Sequence, residues 1–289
     1  MPRGRTFTPV FHSVMTALVL YEPPAVTPLT AKLRVFDLPY SGTVTISQHW
    51  GEDGSRTGGA VWDASLVLAH YLDRNHARWL NGSSVMELGS GLGLASIVAS
   101  RVGFSDVIAT DGDPAVVKMA RENVADNLSS TEVALLDWAD DAALLRLHPP
   151  GRALPDLVMA ADVIYLGSMK SWGDLLSLLT SLCRRRRAAQ VSSPRRSLAR
   201  HDGTASAPGD PLILLSHTRR YAREEFHFFK AARRRRFSVV ALPDSALHVH
   251  FAGNGRNVLY ELHWQGDEPT EEPDAEPHEA DPDRCADST

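Results

Sequence analysis

Apolar residues along this chain fall into two alternating patterns: short continuous runs, and longer stretches in which they recur every three or four positions. The runs predict strands over residues 33–39, 43–48, 84–88, 107–110, 132–136, 157–160, 211–216, 237–242 and 257–263. Several are apolar throughout, as strands buried on both faces of a parallel sheet are. Helical spacing lies between them. Trp62, Leu66 and Ala69 share one face over 62–72, and a further helix is expected over 94–101. Asp113 and Pro114 form an N-cap and first-turn pair, with Val116, Ala120 and Val124 following on one face. Met169, Trp172, Leu176 and Leu179 mark an amphipathic helix before Cys183, and 218–236 reads as another that ends in arginines. The strand–helix order from residue 84 onward predicts a doubly wound α/β fold with a mostly parallel sheet. No convincing helix separates the strands near 237 and 257, so those two are expected to pair antiparallel.

Composition divides the chain around this core. Residues 1–30 read as irregular, since Pro23, Pro24 and Pro28 disfavour helix. Residues 31–58 form an N-terminal β segment and 59–266 the main domain. Within it, 184–210 carries seven arginines, two acids and almost no large apolar residue, and is expected to be a disordered basic insertion. The segment 267–289 holds ten acids against one arginine and is expected to be a disordered acidic tail. The overall charge of −5 therefore sits in that tail and leaves residues 1–266 at +4. That modest balance disfavours RNA as a partner, and the runs 184–187 and 233–236 lack the flanking aromatics of a sequence-specific nucleic-acid reader.

Two cysteines, Cys183 and Cys285, exclude a disulfide framework and a multi-cysteine zinc site, and point to a reducing compartment. Twelve histidines show no metal-binding spacing, and His217 and His248 read as surface or packing residues. The longest early apolar run, 14–21, has eight residues against the roughly 20 that span a bilayer. No membrane role is expected. Arg3 and Arg5, with no acid before Glu22, keep a transit peptide open; otherwise a cytoplasmic and also nuclear location is expected.

The strongest motif is Glu87-Leu88-Gly89-Ser90-Gly91-Leu92-Gly93, placed after a strand and before a helix. Glycines there let the backbone turn sharply and approach a ligand where side chains would clash. Leu94 stands where a dinucleotide fingerprint would have its last glycine, and no lysine is present to neutralise phosphates. An acid two residues before the first glycine suits a cationic ligand better than a pyrophosphate. Asp111 closes the next strand 24 residues after Glu87, where doubly wound nucleotide folds place a ribose-binding carboxylate. The third strand ends in Asp137-Trp138, where an aromatic either stacks on an adenine or plugs the sheet edge.

These residues resemble motif I and the following acid of class I S-adenosylmethionine-dependent methyltransferases. Gly59-Ala60-Val61-Trp62-Asp63-Ala64 upstream and Asp162-Val163-Ile164-Tyr165 after the fourth strand narrow the likeness to the methyltransferase-16 type of protein lysine methyltransferases. It covers roughly 33–183 and 211–264. The resemblance implies a Rossmann-like class I methyltransferase fold with a mostly parallel seven-stranded sheet, and S-adenosyl-L-methionine as cofactor. It implies Glu87, Gly89, Ser90 and Gly91 at the methionyl and ribose portions, Asp111 at the ribose hydroxyls and Trp138 at the adenine. Trp62 and Ala161 would line the same site, and Asp162 and Tyr165 would face the reacting amine as the catalytic pair. The partner implied is a protein substrate such as a chaperone, an AAA ATPase or a translation factor, acted on by a monomer.

Ser216-His217-Thr218-Arg219 departs from the acidic or aromatic stretch of related sequences, as do the basic insertion and the tail. Two competing readings stand beside lysine methylation. One keeps the fold and changes the acceptor to histidine, a small molecule or RNA. The other is a catalytically weak cofactor-binding interaction protein, against which the intact Asp162 and Tyr165 argue.

Overall fold

The computed structural model describes residues 31–267, except 50–56, 80–81, 166–168, 193–197 and 204–208. The irregular N-terminus, most of the acidic tail and part of the expected basic insertion lie outside the described residues. Strands β1 (Leu33–Leu38) and β2 (Gly42–Ser47) pair antiparallel as a separate hairpin. Seven further strands follow: β3 (Ser84–Leu88), β4 (Asp106–Asp111), β5 (Glu132–Leu135), β6 (Leu157–Ala161), β7 (Leu212–Thr218), β8 (Phe237–Ala241) and β9 (Asn257–Trp264). They form one sheet in the order β5-β4-β3-β6-β7-β9-β8. The first five in that order are parallel, and β9 inserts antiparallel between β7 and β8. The last two strands thus pair antiparallel as their spacing predicts.

Among the described residues six α-helices accompany the sheet: α1 (Asp63–Arg74), α2 (Leu94–Arg101), α3 (Pro114–Asp126), α4 (Asp141–Leu147), α5 (Met169–Ser192) and α6 (Ala222–Arg234). The central strand β3 is buried at all five positions. Full burial of apolar side chains such as Met86 and Leu88 contributes about 1.5–3 kcal/mol each. The N-terminus of α3 follows its sequence signal: the Asp113 carboxylate accepts the Ala115 N–H at 2.8 Å, with Pro114 in the first turn. Helix α4 has no apolar period long enough to be read from sequence. Its start is fixed by Asp140, whose carboxylate accepts the Ala143 N–H at 2.8 Å.

The hairpin is tied to α3 by two amides that imitate a neighbouring strand. Asn123 accepts the Ser47 N–H at 2.8 Å and donates to the Ser47 carbonyl at 3.2 Å. Asn127 treats Thr45 in the same way at 3.0 and 2.6 Å. Asn123 also donates to the Leu92 carbonyl at 3.3 Å, so the hairpin edge and the glycine loop share a fixed point.

One expectation needs correction. Helix α5 runs through to Ser192, so 184–192 is helical and not part of a disordered insertion. Four consecutive arginines show no apolar period, but successive helix residues point about 100° apart, so each meets a different neighbour. Arg184 pairs with Asp267 at 2.5 Å, Arg185 with Asp141 at 2.5 Å, Arg186 with Asp156 at 2.6 Å and Arg187 with Asp210 at 2.5 Å. Among the described residues no helix is long and apolar enough to cross a membrane, and no group of three or more metal-ligating side chains could hold an ion.

Candidate active site

The carboxyl ends of β3, β4, β5 and β6 open into a cleft of about 570 Å³. A doubly wound sheet places its ligand sites there, because loops diverge to either face and leave a crevice. The glycine loop forms its floor. Gly89, Gly91 and Gly93 have φ of 70°, 53° and 84°, the left-handed region that costs glycine little. Space is short as well. A Cβ at Gly89 would stand 3.2 Å from the Trp138 ring, and one at Gly91 would stand 3.3 Å from the Gly58 carbonyl oxygen.

Asp111 sits at the end of β4 with its carboxylate tied to that loop, accepting the Gly91 N–H and the Asp113 N–H at 3.0 Å each. Burial pushes its carboxyl up from the ordinary range, and the backbone N–H groups of Asp113 and Gly91 pull against that shift. Trp138, at the end of β5, packs its ring beside Gly89. Trp62, the N-cap residue of α1, lines the same cleft and donates its indole N–H to the Thr57 carbonyl at 2.8 Å. Ser90 and Ala161 line it too, so all the residues singled out from sequence converge on one cleft except Glu87.

Glu87 is the correction. Its side chain points under the loop, 1% exposed, and its Oε2 accepts the Ser96 hydroxyl of α2 at 2.5 Å while Oε1 has no hydrogen-bond partner. It does not line the cleft. Burial pushes its carboxyl up to about 7, opposed by the Ser96 hydrogen bonds. A raised acid pKa means the folded state holds the proton better than the unfolded chain does. That contribution is full below the unfolded value of roughly 4.3 and is lost as pH rises through about 7. Glu87→Gln, which carries no charge at any of these pH values, should therefore raise Tm over the parent protein at pH of about 8. At pH of about 5 the difference should shrink, which paired thermal melts would show.

At the other wall stand Asp162 and Tyr165. Asp162 has φ of 58°, a conformation that short polar side chains tolerate better than others, and is 8% exposed. Its two oxygens are engaged. Oδ1 accepts the Thr218 N–H at 3.3 Å and lies 3.5 Å from His217 Nδ1, while Oδ2 is paired with the Arg220 guanidinium. That guanidinium also lies over the Trp62 ring, 5.0 Å from its centroid. His217 is 1% exposed, with Nε2 3.1 Å from Glu225, so of its two readings it is a packing residue and not a surface one. His248 is likewise half-buried, stacked on His70 at 4.3 Å between ring centroids. Tyr165 is 40% exposed at the cleft mouth.

Arg220 and Tyr221 line the cleft without having been singled out from sequence. Their one signal was position, since they follow β7 at the same carboxyl edge of the sheet.

The cleft suits S-adenosylmethionine on its own geometry. A glycine floor leaves room for a ligand close to the backbone, a carboxylate already fixed by two N–H groups faces the cleft, and an aromatic ring packs against the glycine loop. The profile of the lysine methyltransferase family matches residues 41–203. The protein N-lysine methyltransferase METTL21A of Danio rerio is 31% identical over 243 residues, covering 81% of this chain and 94% of its own length. METTL21A of Mus musculus is 37% identical over 146 residues, covering 49% and 62%. The EEF1A lysine methyltransferase 3 of Mus musculus is 33% identical over 176 residues, covering 56% and 69%. The chain belongs to the lysine methyltransferase family, with S-adenosylmethionine as its methyl donor and a lysine side chain of a protein as its acceptor.

Proposed function

We propose that the chain methylates a lysine of a folded protein, with the donor on the glycine-loop side of the cleft and the acceptor amine entering past Tyr165. The observation that supports this arrangement is the convergence of Gly89, Gly91, Asp111 and Trp138 with Asp162 and Tyr165 on one cleft. In this reading Asp111 accepts from the ribose hydroxyls, Trp138 stacks on the adenine, and Trp62, Ser90 and Ala161 complete the donor wall. When bound, S-adenosylmethionine supplies an electrophilic methyl group on a sulfonium. The chain's own contribution is positioning for an in-line displacement.

The acceptor amine has to arrive neutral, although its reference pKa is about 10.4. Aromatic surface from Trp62 and Tyr165 removes water from it and lowers that value. A bare carboxylate beside the amine would do the opposite and hold its proton. Arg220 removes that conflict by balancing the Asp162 charge before any acceptor arrives. Asp162 and the strand-end carbonyls then orient the amine, Tyr165 shapes the channel, and water or hydroxide takes the proton before productive binding.

The name of one relative, the EEF1A lysine methyltransferase 3, supports a translation elongation factor as the first acceptor to test, alongside chaperones and AAA ATPases. The chain acts as a monomer in the cytosol or nucleus. The test uses methyl-labelled donor with an extract of cell protein, followed by hydrolysis of any labelled band and identification of its amino acids. Label should appear as methyl-lysine, and Asp162→Ala should reduce it at least about tenfold through misplacement of the amine. Label in histidine or RNA would overturn the acceptor, and undiminished label in Asp162→Ala would overturn the residue's role.

A further inference from the structure

A second, shallower groove of about 340 Å³ lies at the opposite edge of the sheet, where β8 begins and β9 ends. Its sides are Arg184 of α5 and Arg234, Arg235 and Arg236 at the end of α6, and its wall is Trp264. The guanidinium groups of Arg187 and Arg184 lie over the Trp264 ring at 4.5 and 5.8 Å from its centroid. Among the described residues no carboxylate pairs with Arg233, Arg234, Arg235 or Arg236, and the buried Nε of Arg236 has no hydrogen-bond partner. Arginines at a helix C-terminus suit the helix dipole, which accounts for Arg233 and Arg234. It does not account for Arg184 on another helix, nor for Arg236 held beyond the helix at φ of 66°.

One acid is already seated there. Asp267 accepts three hydrogen bonds from Arg184, at 3.0, 3.1 and 2.5 Å. Those bonds hold its carboxyl below the ordinary range, helped by the charges of Arg187 and Arg236. Asp267 is also the first of the ten acids in 267–289, a segment with one basic residue, Arg284. Pro269, Pro273, Pro277 and Pro282 recur among those acids, and proline disfavours helix.

We propose that the acidic segment following Asp267 folds back onto the arginine groove of its own chain, with Glu268, Glu271 and Glu272 meeting Arg234, Arg235 and Arg236 beside Trp264. The occupant is tethered at the groove's edge, so its effective concentration is high and weak ion pairs suffice to hold it. Docking there leaves the donor cleft open. It covers the basic corner against other acidic partners, which must displace the tail to bind.

The two cysteines allow a direct test on the full chain. Cys183 is buried, and burial pushes its thiol far up, so it does not react with a labelling reagent. A nitroxide can therefore be placed near the middle of the tail in a Cys285→Ser, Ala275→Cys variant. At about 50 mM salt the nitroxide should broaden the Trp264 indole resonance and the amides of 234–236; at about 500 mM screening should restore them. Arg234→Gln, Arg235→Gln and Arg236→Gln combined should also restore them, while thermal melts report whether the fold persists. Salt alone provides the same reading if that variant unfolds. Absence of broadening at low salt, or equal broadening at high salt, overturns the proposal. So does broadening that appears only when the labelled chain is mixed with a second, isotope-labelled copy, which would assign the groove to another molecule's tail. Binding of polyglutamate to the groove with no competition from the tail would assign it to a separate acidic partner.

Discussion

Asp111→Ala should raise the dissociation constant for S-adenosylmethionine about 100-fold or more. The carboxylate already accepts the N–H groups of Gly91 and Asp113, which spend no freedom when the ligand arrives. A charge-assisted hydrogen bond to a ribose hydroxyl at such a preset acceptor is worth roughly 1.5–3 kcal/mol, and about 1.4 kcal/mol is a factor of ten. Alanine removes that acceptor and also leaves the Gly91 N–H without its partner, so the loop that forms the floor loosens. Asp111→Asn keeps size and one acceptor oxygen and should lose about tenfold. Because burial raises the Asp111 carboxyl above the ordinary range, donor affinity should fall on acidification earlier than an exposed aspartate would dictate. Isothermal titration of the donor against both variants at several pH values checks all three statements. Unchanged affinity in Asp111→Ala would remove the residue from the donor site.

Most of the glycine-loop side of this cleft is legible in the sequence because its parts are local. Glu87 through Gly93 form one strand-to-helix turn, and Asp111 and Trp138 lie at the ends of the next two strands, so order along the chain maps directly onto position along the sheet. The motif did not tell which way Glu87 points. Strand side chains alternate between faces, and the neighbour that draws this carboxylate under the loop is Ser96, nine residues on and on the far side of a turn. The acceptor half is harder, since its partners are distant in sequence. Asp162 is visible beside Tyr165, but the guanidinium it pairs with is that of Arg220, 58 residues away. The contact also depends on a left-handed backbone at Asp162 that no residue pattern announces. Of the two readings open for His217, packing is the one the fold selects, with Asp162 on one side and Glu225 on the other.

The arginine run of α5 carries the second large effect, and it is one that composition conceals. Arg186→Met should cost about 3–5 kcal/mol of stability, because it breaks a buried ion pair by removing one partner. Arg186 and Asp156 have side chains only 6% and 5% exposed, and their pair closes at 2.6 Å. The same guanidinium donates to the Leu154 and Pro155 carbonyls at 2.9 and 2.7 Å, fixing the entry to β6. Asp156 also accepts the Ser84 N–H and hydroxyl at 2.9 and 3.1 Å, which ties the same carboxylate to the start of β3. For a chain of this size that loss lowers Tm by roughly 6–20 °C. Arg184→Met, two residues away and paired in the open with 57% and 61% of the side chains exposed, should change stability by less than about 1 kcal/mol. Adding Asp156→Asn to Arg186→Met should recover part of the loss, since no unpaired charge then stays buried. Equal small effects from Arg184→Met and Arg186→Met in thermal unfolding would mean that the helix frays before Arg186 and that the pair does not hold β6 in place.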